Sequence, residues 1–415
     1  LRRQRQMCIR DSNNEMVLDE FWQTESDVLS VTGSCYRAMQ QPGFMQRLMV
    51  WSEFRSDNVI AGNNLSTDLL YIGSLNILPS NSFASWGDFY NVINLCNTVE
   101  RFAPLVCERD PNFTQNQLMA YLAEVKAIRA FCYFTLVRTF RDVPLITEPT
   151  VDDTQVFQCA QSDPDELVDF LISDLKSVEA YATPSWTNTE YTKGRFTRAG
   201  VRALLADMLL WRNRYDECIT YCDLVMGDTA NPLSLVNSNA YNMSVFVTGN
   251  SSESIMELQF TRSNIPNYTL CEFYGTLGGH AGWGHQQMMA YDFSTTGLFG
   301  ATDLRGIDSF YSSSALAAFP IKKYLAWRNE TTTSNVRESD YIATDGGASN
   351  WILYRLPDVM LMKAEALVES NGSLETAFNL VSTIYDRANP EAGAGSHSFT
   401  SVSYTHLRAH ETRHD

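Results

Sequence analysis

Basic residues are scarce in this chain, and so are the short motifs that carry most enzyme chemistry. Lys and Arg number 31 against 48 Asp and Glu, a formal charge of −17. Such a surface repels nucleic acid and anionic lipid. No apolar run approaches the roughly 18 residues that a membrane-spanning helix needs. The histidines form no HExxH pair, no Gly-Lys-Ser/Thr phosphate loop occurs, and no GxSxG elbow is present. Paired carboxylates for glycoside hydrolysis are not singled out by position either. The sequence therefore predicts no catalytic residue, no metal ligand set and no cofactor. Cysteines are spread without a CxxC pair or a regular framework. Cys218 and Cys222 share a helix face with no histidine near enough to complete a metal set. They read as buried thiols acting as small hydrophobes.

What the chain has in quantity is aromatic residues, 12% of the total, with 8 Trp, 19 Tyr and 22 Phe. Most must be core, yet flat rings with a polar edge also pack well against sugars. The densest stretch lies in a predicted helix from Thr114 to Phe140. Thr114 and Gln117 form a capping box at its start. Leu118, Tyr121, Leu122, Val125, Ile128, Cys132 and Leu136 recur at helical spacing. Phe131, Tyr133, Phe134 and Phe140 fall on other faces, so protein is expected all around the middle of this helix. Pro144 disfavours helical geometry at Val143 and ends it.

Helical hairpins recur along the chain, and a mainly α fold is expected: a tetratricopeptide-like scaffold with long irregular loop inserts that form a binding face. Arg195–Met226 reads as one hairpin, capped at Thr197 and turned at Asn213-Arg-Tyr-Asp216. Ala206 and Cys218 stand twelve apart, the spacing of the small residues where paired repeat helices meet. Tyr354–Ser370 with Leu374–Ala388 reads as another, with Gly372 ending its first helix and Ser373 capping its second. Asn91–Leu105 with Thr114–Phe140 makes a third. Asp163-Pro-Asp-Glu166 opens a further helix. The inserts Val151–Gln161, Gly227–Ser254 and Leu258–Ser314 are long enough to be functional rather than merely connective.

Two loops carry the candidate binding residues. Phe273–Gln287 holds five glycines that let backbone approach a ligand, with Phe273, Tyr274, His280 and Trp283 as contacts and Trp283 with Tyr274 as a stacking platform. Asn58–Tyr71 offers Asn64 and Tyr71, an amide that both donates and accepts and a ring. Arg55 and Asp57 just before it are expected to form an ion pair or cap.

The two ends look foreign to the rest. Residues 1–12 and 401–415 resemble translated sequencing-adapter reads and share no periodicity with residues 13–400. The spaced His406, His410 and His414 are set aside with them. Within 13–400 the expected parts are an amino-terminal part (13–150), a loop-rich central part (227–350) and hairpins at about 91–140, 163–226 and 354–388.

Four stretches carry a family resemblance. The segment Glu124–Pro149 is similar to the signature of the SusD/RagB family. So are Ser52-Glu-Phe-Arg-Ser-Asp57 with Trp86 and Tyr90–Asn97, Asp303-Leu-Arg305 with Phe319–Tyr324, and Tyr354–Leu367. They follow one another in the family's order. The resemblance implies a non-catalytic outer-membrane lipoprotein on the extracellular face that binds oligosaccharides or peptides. It also implies delivery to a TonB-dependent (SusC-like) transporter, with a lipid anchor expected ahead of this stretch of chain. Two other classes are compatible with the residues alone: an intracellular repeat scaffold that binds a protein partner, and a glycoside hydrolase.

Overall fold

The computed structural model describes residues 21–55, 59–60, 66–150, 159–261, 263–274, 284–285, 303–305, 323–324 and 349–390. Both adapter-like ends lie outside them. The described chain forms α1 (Glu25–Met39), α2 (Pro42–Met49), a π-helical turn (Val50–Phe54), β1 (Val59–Ile60) and α3 (Thr67–Gly73). Next come α4 (Gly87–Arg109), α5 (Gln115–Phe140), α6 (Pro164–Val178), α7 (Thr189–Gly194), α8 (Arg198–Trp211) and α9 (Tyr215–Met226). A second π-helical turn (Met243–Thr248), β2 (Ser254–Leu258), α10 (Tyr268–Tyr274), β3 (Gly284–His285) and β4 (Trp351–Arg355) precede α11 (Leu356–Glu369) and α12 (Leu374–Ala388). The fold is mainly helical and tetratricopeptide-like.

Helix α5 is the axis. Its capping box is present, with the Thr114 hydroxyl accepting from the Gln117 amide at 3.3 Å and the Gln117 side chain accepting from the Thr114 amide at 2.9 Å. Every residue from Ala123 to Val137 except Lys126 is buried. The helix stops at Phe140, where Arg141 turns left-handed at φ 67°. Beyond it the strap Pro144–Pro149 is held by side chains of α4 and α5. Tyr90 donates to the Pro144 carbonyl at 2.6 Å, and Asn97 to that of Ile146 at 3.0 Å. The Tyr133 hydroxyl donates to the Ile146 carbonyl at 2.9 Å and accepts from the Ile146 amide at 2.8 Å.

Burial on all sides leaves the polar residues of α5 only internal partners. Glu124 accepts two hydrogen bonds from Arg195, at 2.7 and 2.6 Å, and one from Tyr36 at 2.6 Å. The Tyr36 hydroxyl also takes the Phe196 amide, at 2.9 Å. These four residues tie α1, α5 and the start of α8 together. Lower on the same helix, Arg129 reaches Asn97 at 2.8 Å and Asp174 at 2.6 Å, and also pairs with Glu100. Removing one member of such a buried group strands the other, at a cost of about 3–5 kcal/mol.

The hairpins stack side by side. α1 packs on α4, α4 on α5, α5 on α6, α6 on α8, α8 on α9, α9 on α11 and α11 on α12. The row is thus continuous in space although inserts interrupt it in sequence. Ala206 and Cys218 are fully buried in the α8–α9 pair, and the turn uses Asn213 at φ 56°. Two boundaries differ from expectation. Helix α4 runs through Pro104 to Arg109. The left-handed residue that ends α11 is Asn371 at φ 55°, not Gly372. The Gly372 amide instead closes back on the Leu367 carbonyl at 2.7 Å, as the residue after the left-handed position does.

The insert after α9 is not wholly irregular. β2 and β4 pair antiparallel, Leu258 opposite Trp351 and Ser254 opposite Arg355. All five β2 residues are buried, including Glu257. Its carboxylate takes the Asn250 amide at 2.9 Å and the Asn350 side chain at 2.9 Å, and burial pushes its pKa above the usual carboxylate value. Nearby, Lys193 is buried with its ammonium 3.0 Å from the Asn231 carbonyl oxygen. Desolvation lowers its pKa to about 8, against a partial pull upward from Glu257.

Two expectations follow from this packing. Ala206→Leu should overfill the α8–α9 crossing and lower unfolding free energy by roughly 1–3 kcal/mol, read by urea titration. A neutral result would mean that the crossing has room. The second concerns pH. Between about 8 and the unfolded lysine value near 10.4, the unfolded chain binds more protons than the folded one, so stability should rise with pH. The stability difference between the wild type and Lys193→Met should therefore move in favour of the wild type from pH 7 to pH 10. Parallel melting curves across that range would show that Lys193 stays solvated.

Candidate functional site

The two loops that the sequence marks as binding segments are brought together by a short ribbon. β1 pairs antiparallel with β3, Val59 opposite His285 and Ile60 opposite Gly284. Backbone bonding thus joins the bases of a loop that contains Asn64 and a loop that ends at Trp283.

The ribbon stands on α2 and its π-helical extension. Here a stacked aromatic layer fixes the chain: Phe44 and Phe89 lie 4.2 Å apart, Trp51 and Phe89 4.7 Å, and Trp51 and Phe140 5.0 Å between centroids. The Trp51 indole donates to the Phe83 carbonyl at 2.9 Å. Arg47 holds the carbonyls of Ser82 at 3.0 Å and Ser85 at 2.9 Å, and pairs with Asp88 at 2.6 Å. The π-helical turn touches β1. Arg55, at its end, lies 3.5 Å from the Thr139 carbonyl. Asp57, its expected partner, lies outside the described residues.

Helix α3 follows β1 in sequence. Ser66 caps it through the Leu69 amide at 3.3 Å. Leu69 and Ile72 face inward, while Leu70 and Tyr71 face out, and Tyr71 is 38% exposed. Asp68 accepts from the amide and hydroxyl of Ser82, at 3.1 and 2.6 Å, and the hydroxyl above all holds its pKa below the usual value. The helix ends in a Schellman turn built on Leu75 at φ 57°. The Asn76 amide bonds the Tyr71 carbonyl at 2.8 Å, and the Leu75 amide bonds that of Ile72 at 3.0 Å. Glycine is the usual residue at such a position. Here a leucine stands 83% exposed.

α10 leads into the β3 loop and corrects part of the expected platform. Phe273 and Tyr274 are only 2% and 4% exposed, and burial pushes the Tyr274 phenol well up. Neither offers a free face to a ligand. Their rings anchor the loop to the core, because a helix this short needs a buried terminal turn to stay docked. Gln46 ties it to α2 by donating to Glu272 at 2.9 Å. The aromatic ring that α10 does expose is Tyr268, at 67%. Periodicity could have suggested it, since Tyr268 lies off the face that carries Phe273 and Tyr274. Asn64, His280 and Trp283 lie outside the described residues. Of the six expected contacts, Tyr71 alone is placed with a partly open ring.

The described cysteines form no disulfide. Cys35, Cys96, Cys132, Cys218 and Cys222 are buried, and the Cys218 and Cys222 sulfurs lie 4.0 Å apart. Among the described residues no helix is long and apolar enough to cross a membrane.

Comparison with known proteins follows the same pattern. The profile described as the SusD family matches residues 284–398. A SusD-like protein of Formosa agariphila is 26% identical over 204 residues, 49% of this chain and 38% of its own length. A second from the same organism is 22% identical over 91% of this chain and 77% of its own. Over these stretches the chain is similar to the SusD family. It spans well under half the length of the first of these relatives, as 38% shows. Solved SusD-like structures share the fold across nearly the whole chain. A SusD superfamily protein from Bacteroides thetaiotaomicron superposes with a TM-score of 0.73 at 17% identity, over 94% of this chain and 86% of its own. A laminarin-binding SusD-like protein gives 0.71 at 21%, over 88% and 85%. Surface glycan-binding protein A from Bacteroides uniformis gives 0.68 at 17%, over 88% and 81%.

The residues that carry the family resemblance mostly serve packing. Tyr90, Asn97 and Tyr133 pin the strap. Asp303 bonds Arg305 at 2.8 Å and Asn389 at 2.9 Å, and Tyr354 donates to Asp207 at 2.9 Å.

Proposed function

We propose that this chain binds neutral oligosaccharides at the cell surface, without chemistry, and passes them to a TonB-dependent outer-membrane transporter. The observation that carries the reading is the pairing of β1 with β3. It joins the strand that leads towards Asn64 to the strand that follows Trp283. Two solved relatives named for laminarin binding and surface glycan binding support the ligand class. The membrane location, on the extracellular face, and the transporter as partner rest on the resemblance to the family.

Trp283 and Tyr268 are the stacking rings in this reading, and Tyr71, Asn64 and His280 are further contacts. Phe273 and Tyr274 are buried and serve the core. Stacked rings contribute both apolar area and geometry, whereas a peripheral amide exchanges one hydrogen bond for another with water. Binding of this kind is wet and exchanges quickly, which suits a carrier that must release its cargo.

A glycan array on the purified chain identifies the ligand, and calorimetry with that glycan then tests the site. Trp283→Ala should weaken affinity at least tenfold, equivalent to about 1.4 kcal/mol, with the melting temperature unchanged. Tyr268→Ala should weaken it by a smaller factor, and Asn64→Ala least. Normal binding by both ring variants would place the platform elsewhere. Release of reducing ends from the bound glycan would overturn the non-catalytic reading.

A further inference from the structure

A second concave site lies in the insert between α9 and β2. Its volume is about 530 Å³, within the usual range for small-molecule sites. Ser234, Asn237, Ser244, Thr248, Ser251 and Ser252 supply its polar lining. The wall holds no ionisable side chain and no aromatic ring, and it shares no residue with β1, β3, α3 or α10.

The backbone around this cleft is unusual in two ways. One wall is the π-helical turn Met243–Thr248, a rare geometry that recurs at functional sites. Directly after it come two consecutive residues at positive φ, Gly249 at 72° and Asn250 at 52°. Non-regular conformations of this kind persist only where the surroundings over-determine them. Here the Glu257 carboxylate receives the Asn250 amide, and Asn350 braces that carboxylate. A Cβ at Gly249 would lie 2.8 Å from the Asn350 amide nitrogen and 2.9 Å from the Glu257 oxygen, so only glycine fits.

The rim is also clasped. The Ser234 amide donates to the Ser252 carbonyl at 3.0 Å, and the Ser252 hydroxyl returns to the Ser234 carbonyl at 2.9 Å. The Val236 amide donates to the buried Glu253 at 3.2 Å. Arg387 pairs with the same carboxylate oxygen at 2.9 Å, and Arg355 with the other at 3.3 Å. The charges near the cleft are therefore engaged by the protein itself. What faces the ligand is a set of hydroxyl and amide groups, each able to donate and accept. An anion or cation would find no counter-charge in the wall. A purely apolar molecule would strip those groups of water without return.

We propose that this cleft is a second saccharide site, which takes one or two rings of a neutral sugar. It shares no wall with the ribbon site, so it stands or falls independently of that assignment. On a polymeric glycan, two weak sites on one chain raise the overall affinity without any new contact, provided the polymer can span them.

The test uses D-glucose, D-galactose, D-mannose and D-glucuronate as probes, read by saturation-transfer NMR on the whole chain. Ser234 and Thr248 are exposed, so Ser234→Phe and Thr248→Phe fill the cleft from separate walls without burdening the core. At least one neutral hexose should give a saturable signal in the millimolar range. That signal should persist in Trp283→Ala and fall at least fivefold in both filling variants, while glucuronate gives none. Hydrogen exchange on the wild type, which needs no variant, should slow within residues 234–252 when that hexose is added. Absence of a saturable hexose signal overturns the proposal. So does a signal that survives both fillings, glucuronate binding as well as the hexose, or slowed exchange confined to other residues. Loss of the hexose signal in Trp283→Ala would assign it to the ribbon and overturn the second site while leaving the first intact.

Discussion

A helix with no solvent face imposes strict terms on everything around it. The middle of α5, Ala123 to Val137, is surrounded but for Lys126, so the backbone satisfies itself while the polar side chains there must find partners inside the protein. Glu124 and Arg129 find theirs on other helices. Each partnership fixes the position of a neighbour: α1 and the start of α8 through Glu124, and α4 and α6 through Arg129. The order of the scaffold follows from satisfying two buried ionic residues on one helix. Hydrophobic contact supplies most of the stabilisation, but it is non-directional. The ion pairs fix which helix faces which.

That rigidity is what makes a loop-built site possible. α2 and its π-helical extension are pinned to α4 and α5 through Phe44, Phe89, Trp51 and Phe140, and the ribbon rests upon them. Glycine-rich loops lose much entropy on ordering. A fixed base restricts that loss to the loops themselves. The cleft beside β2 follows the same logic with different means, since its irregular turn is braced by a buried carboxylate rather than by stacked rings.

Much of the scaffold was legible because its signals are local. The Thr114 box, the Asp163-Pro164 start and the Ser373 cap each concern residues within one turn of a helix, and the chain forms each of them. The ribbon was not legible. Its strands are two residues long, show no alternation and lie far apart in the chain, so only tertiary contact creates them. β2 was hidden for another reason: Glu257 in its centre reads as a surface residue until Asn250 and Asn350 supply hydrogen bonds. Composition drew attention to Phe273 and Tyr274 because they are aromatic and next to glycines. Which aromatic in α10 faces outward depends on how that helix docks, and docking is a tertiary property. The carboxyl end of α4 was read four residues short, because a long helix with packed neighbours can continue past Pro104 despite the loss of one hydrogen bond.

The two-residue ribbon has a consequence for how the candidate loops can change. It joins their bases and leaves their lengths unconstrained. Once the ends are fixed, doubling a flexible loop costs only about 0.6 kcal/mol in closure entropy. Residues can therefore be inserted or exchanged beyond Ile60, or ahead of Gly284, with almost no effect on α2, α4 or α5. If the proposed site is right, specificity and stability are encoded in separate parts of the chain, and the ligand can be changed without rebuilding the frame.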